Sequence, residues 1–353
     1  MKKVILAGLA VVLGLSMAIS ATQAGEWKQA SEYAKDAVKY NDLKAKLGPI
    51  PNPGKKLQLG FVCKAFENEF WRNNRDGANA AAKELQANGM DIKMDSKAAQ
   101  GEGDETGQLS IMSTMVNRGY DGLLVAPISE GNLQPSIERA LDRGIPIVYV
   151  NDAPSPLSST ITGAHHWEAG ELAAEWFSKK IGSGEVAIIT GTPRAAAARE
   201  RTEGFKQWLE KNNPNIKVVD TQNGDWDRMK AKDATDVILK KYPNLKGVYA
   251  NNDTMAMGCI ESVKSAGKLE QCFVIGTDGT SEAHASIKAG ELAGTVDNFP
   301  FYMSQIGAEM LIRKIAGQEL PMMIYTPQVV VDATNINEDA AKLIGWTGFN
   351  FAD

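Results

Sequence analysis

Residues 122–150 read GLLVAPISEGNLQPSIERALDRGIPIVYV, and their pattern indicates the type of fold most clearly. An apolar run over 122–126 leads through a polar turn to apolar residues at helical spacing over 133–143. A second apolar run follows over 145–150. Continuous apolar runs are typical of strands buried on both faces, and parallel strands need a helical connection between them. The stretch therefore predicts one β-α-β unit.

The same pattern recurs along the chain from residue 57. The other apolar runs lie at 57–63, 186–190, 247–250 and 273–276, with two further strands expected at 90–95 and 216–220. Helical spacing is found over 71–88, 108–118, 168–181, 197–212 and 229–241. Residues 57–150 and 183–276 repeat one order of strands and helices. The sequence therefore predicts an α/β protein with two Rossmann-like, doubly wound lobes.

The composition agrees with this size and excludes several classes of protein. The chain has 353 residues, 43% of them hydrophobic and 23% charged, which fits a globular protein of about two domains. Lys and Arg number 38 against 43 Asp and Glu, a net charge of −5, and no basic tract is present. We therefore expect no nucleic-acid partner.

Residues 1–24 predict a cleaved signal peptide. Lys2 and Lys3 precede an apolar stretch over 4–19, and Thr22-Gln23-Ala24 supplies small residues for cleavage. The apolar stretch is short of the roughly 20 residues that span a bilayer. No cysteine follows the cleavage point, so no lipid anchor is indicated. We expect an exported protein of the bacterial periplasm.

Residues 25–56 predict an N-terminal extension ahead of the first lobe. Apolar residues recur at helical spacing over 26–47, which indicates an amphipathic helix. Three prolines and two glycines over 48–54 then predict a stiff linker.

Polar and aromatic side chains follow the predicted strands, where open α/β sheets bind their ligands. The candidate residues are Asn68, Phe70, Trp71, Asn151, Asp152, Arg199, Trp226, Asn252, Asp278 and Asn298. Carboxylates, amides and guanidinium groups suit vicinal hydroxyls, and aromatic faces suit the C–H faces of a sugar ring. Helix capping alone would explain single Asp or Asn residues, but it does not require Arg or Trp. The set predicts a binding site for a sugar or polyol.

The sequence gives little support to an enzyme. It contains no GxSxG, HExxH or Walker A motif. His165 and His166 are adjacent and would point in opposite directions, and His284 is the only other histidine, so we expect no metal site. We expect no cofactor and no catalysis, with an exported hydrolase using Asp152 or Asp278 as the alternative.

Three motifs carry a resemblance to a known family. They are ARERTEGF at 198–205, NNDTMAMG at 251–258 and VIGTDGT at 274–280. Over residues 57–331 the chain resembles the ribose/galactose type of periplasmic sugar-binding protein. These are the solute receptors of ABC importers, and they share their fold with LacI-type regulators. A signal peptide in place of the regulators' DNA-binding headpiece favours the receptor.

The resemblance implies a type I periplasmic binding protein fold with a three-stranded hinge. The first lobe would comprise 57–165 and 299–326, and the second 166–298 and 327–353. A sugar or polyol would bind between the lobes of a monomer and pass to an ABC permease in the inner membrane.

The resemblance also assigns roles to the candidate residues. Asn68, Phe70 and Trp71 would line the wall of the first lobe, with the aromatic rings stacking on the ligand. The second lobe would contribute Arg199, Trp226 and Asn252, while Asp278 and Asn298 would bind hydroxyls near the hinge.

One departure from the family pattern leaves the ligand open. Ribose-binding members carry Asp-Arg after the third strand, where this chain has Asn151-Asp152. A polyol, a cyclitol or an altered sugar fits this change, and so does a cationic, amine-bearing ligand. The output is open as well, since a ligand sensor for a chemoreceptor or sensor kinase would have the same sequence features.

The cysteines are few. Cys259 and Cys272 lie 13 positions apart on a helix and the next strand, so a disulfide between them is one candidate pairing. Cys63 lies in the first apolar run, where we expect a buried thiol.

Overall fold

The computed structural model describes residues 37–154 and 157–352. The predicted signal peptide and the first part of the helix predicted over 26–47 lie outside the described residues.

Two sheets organise the described chain. Their strands are β1 Val38–Lys39, β2 Leu57–Ala65, β3 Ile92–Ala99, β4 Gly122–Val125, β5 Ile147–Val150, β6 Ile161–Gly163, β7 Gly184–Thr190, β8 Ile216–Asn223, β9 Gly247–Ala250, β10 Phe273–Asp278, β11 Gly294–Asp297, β12 Met323–Tyr325 and β13 Val329–Asp332. The first sheet has the order β1-β12-β6-β5-β4-β2-β3, and all its pairs are parallel. The second has the order β13-β11-β10-β9-β7-β8, and only β13 runs antiparallel to its neighbour. The predicted α/β fold with two parallel-sheet lobes is confirmed.

Helices cover both faces of each sheet. They are α1 Tyr40–Leu47, α2 Glu69–Ala87, α3 Glu105–Asn117, α4 Gln134–Asp142, α5 His166–Ile181, α6 Ala196–Asn212, α7 Arg228–Lys241, α8 Asp253–Ser265, α9 Ser281–Lys288, α10 Pro300–Ile315 and α11 Ala340–Ile344. Two buried apolar clusters flank the first sheet and two flank the second. Because both faces are buried, the strands have the continuous apolar sequences that the pattern analysis used.

Within the described residues the chain crosses between the sheets three times, at 164–165 after β6, at 298–299 after β11 and at 326–328 after β12. The first and third crossings are joined where Thr326 N donates to Gly163 O at 2.9 Å. These adjacent crossings are consistent with the three-stranded hinge that the family resemblance implies.

The N-terminal extension is part of the first lobe. Val38 and Lys39 pair in parallel with β12, where the sequence predicted helix, because the edge of the sheet offers them a partner. Tyr40 begins α1 and donates from its hydroxyl to Glu309 Oε2 at 2.7 Å. Arg313 forms an ion pair with Glu309 and donates from Nη2 to Gly48 O at 2.9 Å, which fixes the Pro/Gly linker to α10.

The end of the chain differs from the predicted domain boundary. Residues 327–353 were expected in the second lobe, yet Phe349 and Trp346 pack in the cluster of the first lobe that contains Leu43. Ile50 N also donates to Asn350 O at 2.7 Å. The chain returns because its terminal aromatic side chains find apolar surface on the extension.

A candidate ligand-binding cleft

A polar and aromatic cleft lies between the two lobes, at the carboxyl ends of their strands. It is lined by Lys64, Asn68, Phe70, Trp71, Glu102, Asn151, Asp152, Ala197, Arg201, Trp226, Asn252 and Asp278. Eight of the ten residues predicted from the sequence are in this set. The strand-end rule therefore brings most of the candidates together.

Aromatic rings from both lobes face the cleft. Phe70 and Trp71, at the start of α2, meet edge to face with their ring centroids 4.8 Å apart. Trp226 comes from the opposite lobe and has a positive φ of 64°. Its ring lies so close to the backbone of Gly191 that an added Cβ there would be 2.1 Å from Trp226 Cζ2. A glycine at 191 therefore makes room for the tryptophan.

Glu102 accepts hydrogen bonds from two uncharged donors in the wall of the first lobe. Its Oε1 accepts from Asn68 Nδ2 at 2.9 Å and from Trp71 Nε1 at 3.0 Å. Burial raises the pKa of this carboxyl group, although the nearby charge of Lys64 opposes the shift. Glu102 thus orients two residues that line the cleft.

Lys64 and Asp152 form a buried ion pair in the first lobe. Lys64 Nζ lies 2.9 Å from Asp152 Oδ2, and the two side chains are 7% and 10% exposed. Burial raises the pKa of Asp152, but Lys64 and His166 outweigh it and hold the pKa below its ordinary value. Asn151, with a positive φ of 63°, donates to the same carboxylate.

Arg201 and Asp278 form a second pair in the other lobe. Arg201 Nη1 lies 3.4 Å from Asp278 Oδ1 and donates to Asn251 O at 2.6 Å. Burial raises the pKa of Asp278 well above its ordinary value, with Arg201 opposing the shift. Asp278 has a positive φ of 133°, a strained backbone of the kind that proteins keep at functional sites.

The backbone after Asp278 is held by a buried carboxylate. Asp253 Oδ2 accepts from Gly279 N at 2.9 Å and from Thr280 N at 2.8 Å. Burial raises the pKa of Asp253 to about 6. A side chain on Gly279 would collide with Asp297, so only glycine fits this turn.

Two Asn residues combine helix capping with a place on the cleft wall. Asn68 Oδ1 accepts from Phe70 N at 2.9 Å, and Asn252 Oδ1 accepts from Met255 N at 2.9 Å. These two residues therefore both cap helices and line the cleft.

Two predicted residues do not line the cleft. Arg199 donates to Glu130 and to Pro193 O instead, because positions 199 and 201 are about 200° apart around α6. Arg201 occupies the place that the sequence analysis gave to Arg199. Asn298 is fully buried behind the wall, where its Nδ2 lies 3.5 Å from Asp278 Oδ1.

Three residues that line the cleft, Lys64, Glu102 and Arg201, were not among those predicted from the sequence. Lys64 is a lone cation at the end of an otherwise apolar strand, a signal that could have been read. Arg201 belongs to the quoted ARERTEGF motif, and Glu102 lies in a Gly-rich turn just after β3.

The lobes contact each other around the mouth of the cleft. Arg199 of α6 binds Glu130, Arg194 Nη1 lies 3.3 Å from Glu105 Oε1, and Ser281 N donates to Glu69 Oε1 at 2.8 Å. Each contact joins one lobe to the other, so the structure is in a closed form.

The predicted disulfide is not formed. Cys63, Cys259 and Cys272 are buried free thiols, as expected for Cys63 alone. Cys259 Sγ accepts from Thr235 Oγ1 at 3.2 Å, and burial raises the pKa of both Cys259 and Cys272 to about 12. Spacing along the chain did not fix the geometry that a disulfide requires.

Within residues 37–154 and 157–352, no group of three or more His, Cys, Asp or Glu could hold a metal ion. The same residues contain no helix with the length and apolar character needed to cross a bilayer.

Two parallel-sheet lobes, joined by three crossings and closed over a polar and aromatic cleft, define a binding protein of the periplasmic type. The profile described as periplasmic binding protein domain matches residues 59–319, and the chain belongs to this family.

Curated relatives cover most of the chain. The D-allose-binding periplasmic protein of Escherichia coli K12 is 32% identical over 277 residues, which is 75% of this chain and 87% of the relative. The D-ribose/D-allose-binding protein of Pseudomonas aeruginosa is 29% identical over 290 residues, covering 79% and 89%. These relatives are named as binding proteins.

A solved structure has the same fold. A periplasmic solute-binding protein of an ABC transporter from Actinobacillus succinogenes, with bound D-allose, superposes with a TM-score of 0.76 at 28% identity. The match covers 80% of this chain and 100% of that one.

Proposed function

We propose that this chain is a periplasmic receptor that captures a neutral monosaccharide or polyol between its lobes and delivers it to an ABC permease. The main support for this proposal is the cleft itself, which places aromatic rings and hydrogen-bonding side chains from both lobes around one space. The sugar-binding relatives support the ligand class.

The aromatic side chains would hold the ring of the ligand. Trp71 and Phe70 come from one lobe and Trp226 from the other, so a sugar ring between them would be contacted on both sides. Such rings pack on the apolar C–H faces of a sugar, while the hydroxyl rim needs polar partners. This arrangement binds only when the lobes are closed.

The polar side chains would bind the hydroxyl groups. Asp152, Asp278 and Asn252 can accept from hydroxyls, and Lys64 and Arg201 can donate to them. The ion pairs Lys64–Asp152 and Arg201–Asp278 keep these groups oriented before a ligand arrives. Preorganisation of this kind lowers the entropy cost of binding.

The charges of the cleft favour a neutral ligand over an anionic one. The two cations of the lining, Lys64 and Arg201, already pair with the carboxyl groups of Asp152 and Asp278. A sugar acid or sugar phosphate would have to compete with these carboxyl groups for the same buried cations, which is costly.

Export, the permease and the monomeric state belong to the same proposal. The predicted signal peptide over 1–24 and the periplasmic relatives support export. The ABC-transporter context of the solved relative supports delivery to a permease.

Thermal unfolding tests the ligand class. The chain from residue 25 is unfolded and refolded to remove captured ligand, then heated with pentoses, hexoses, polyols, cyclitols, sugar acids and amines. A ligand at 1,000 times its Kd adds about 4 kcal/mol, so a neutral sugar or polyol should raise the midpoint by several degrees.

Trp226→Ala is the matched variant. We expect it to keep the midpoint of the ligand-free protein within a few degrees and to lose most of the shift. A shift with sugar acids or amines only, or with no member of the panel, would contradict the proposed function.

A further inference from the structure

The cleft and the three crossings between the lobes are connected by one chain of hydrogen bonds. It begins at Asp278, which lines the cleft, and passes to Asn298 on the second crossing. From there it passes to Gln328 on the third crossing and ends at the backbone of His165 on the first. Every crossing thus contributes one member.

The Asp278 end of the chain depends on Asn298. Asn298 Nδ2 lies 3.5 Å from Asp278 Oδ1, and Asn298 N donates to Asp278 O at 3.3 Å. Asn298 is fully buried, so its side chain has no water to replace these partners. The orientation of Asn298 therefore bears directly on the carboxylate that faces the ligand.

Gln328 determines that orientation. Its Nε2 donates to Asn298 Oδ1 at 2.7 Å, and its Oε1 accepts from His165 N at 2.8 Å. Because Asn298 Oδ1 accepts this bond, its Nδ2 is turned towards Asp278. One amide side chain thus joins the second and first crossings while it lies on the third.

We infer that Gln328 is a positioning residue that couples the ligand-facing Asp278 to the closed arrangement of the three crossings. Gln328 is not among the residues that line the cleft. It would act only through Asn298 and the hinge, favouring the closed form in which both lobes reach the ligand. This inference rests on the proposed function for the identity of the ligand. The hydrogen-bonded chain through Gln328 does not depend on which sugar binds.

Two variants test the two hydrogen bonds of the Gln328 side-chain amide. Gln328→Met removes both hydrogen bonds at similar length. Gln328→Glu keeps an acceptor for His165 N but loses the donor to Asn298, so Asn298 must turn its amide and present an oxygen to Asp278. Gln207→Met, at an exposed position of α6, is the matched control.

The first measurement uses no ligand. Spin labels at Lys83→Cys in α2 and Lys240→Cys in α7 report the distance between the lobes. The three native cysteines are buried and will not be labelled. Both Gln328 variants should populate longer distances than the parent protein, while Gln207→Met should not. An unchanged distribution overturns the inference.

The second measurement uses D-allose as the probe. We expect both Gln328 variants to release it about 3- to 10-fold faster than the parent protein, the loss typical of one or two hydrogen bonds. An unchanged release rate in a parent protein that binds D-allose overturns the inference. If the parent protein does not bind D-allose, that result bears on the proposed cargo, and the ligand-free distances decide the inference alone.

Discussion

Arg199 and Arg201 lie two positions apart on one helix and have different surroundings. Arg201 lies in the cleft beside Asp278, whereas Arg199 binds Glu130 at the rim between the lobes. Residues two apart on a helix point to opposite sides, so only one of the pair can face the ligand. The two arginines are therefore a natural matched pair for mutation.

Arg201→Lys should weaken binding of the sugar found in the thermal panel by about 1.5–3 kcal/mol, since the guanidinium contacts Asp278 and Asn251 through Nη1 and keeps further donors for the ligand, which the single ammonium of lysine cannot match. Arg199→Lys, at the rim, should change binding by at most about 1 kcal/mol. Calorimetric titration of the two variants measures both values. A loss in Arg201→Lys no larger than that in Arg199→Lys would contradict a direct contact between Arg201 and the ligand.

His166 gives the protein a dependence on pH. Burial, together with the charge of Arg201, lowers its pKa to about 3, and its Nε2 donates to Asn151 O at 3.1 Å. The unfolded chain takes up a proton below about pH 6.5 while the folded protein does not, so stability is lost as the pH falls. At pH 5 the loss from this histidine is about 2 kcal/mol.

Urea unfolding between pH 7 and pH 5 checks this dependence. His166→Gln should have a lower stability at pH 7 but a smaller loss on going to pH 5. Burial of Asp253 acts in the opposite direction, because its raised pKa of about 6 favours the folded state as the pH falls. A wild-type protein as stable at pH 5 as at pH 7, with no difference in the variant, would contradict the assignment.

The sequence predicted residue positions well where a strand end fixes them. Asp152 and Asp278 stand at strand ends, and Trp71 lies in the first turn of the helix that follows β2, so the carboxyl ends of the parallel strands place all three at the cleft. Arg201 depends instead on the rotation of a helix that begins at Ala196, and the pattern of residues does not set that rotation. Glu102 lies in a turn whose path depends on contacts with Asn68 and Trp71.

At the scale of the elements, the long helices and central strands were predicted within a few residues. Periodicity predicted helix over 133–143, and α4 spans Gln134–Asp142. Short strands such as β6 and β12 have three residues each, which is too few for a pattern. They form because neighbouring strands present free edges, a cause that acts only in the folded protein.

The contact between Glu130 and α6 joins an element of each lobe and can be tested by mutation. Glu130 lies before α4 in the first lobe and binds Arg199 of the second. Both side chains are partly exposed, at 38% and 27%, so the pair is worth at most about 1 kcal/mol. It forms only when the lobes are together.

Glu130→Gln should speed release of the panel sugar by up to about 5-fold at low salt, with a smaller difference at high salt. Glu138→Gln, exposed on α4 of the same lobe, is the control and should leave the release rate unchanged. Stopped-flow fluorescence of the tryptophans measures the rates. A wild-type release rate in Glu130→Gln would remove this pair from the closed form.

For the whole molecule, two lobes and their repeat were predictable, and the return of the chain end was not. The repeat of strand and helix is local, so each lobe is encoded in its own segment. The packing of Trp346 and Phe349 against the N-terminal extension joins residues some 300 positions apart. Such contacts depend on which apolar surfaces remain exposed after the lobes have formed. The sequence does not show which surfaces those are.

The closed cleft also has a consequence for the molecule as a whole. Its lining comes from both lobes, so a ligand completes its contacts only when they meet. A ligand that prefers the closed form must shift the protein towards it. Binding and closure should therefore be one event.

Small-angle X-ray scattering of the refolded protein, with and without the panel sugar that gives the largest thermal shift, tests this most directly. We predict a smaller radius of gyration at saturating sugar. The full decrease should be reached when one sugar molecule is bound per chain. A sugar that binds without any change in the radius would contradict closure on binding, because it would bind without bringing the two walls of the cleft together.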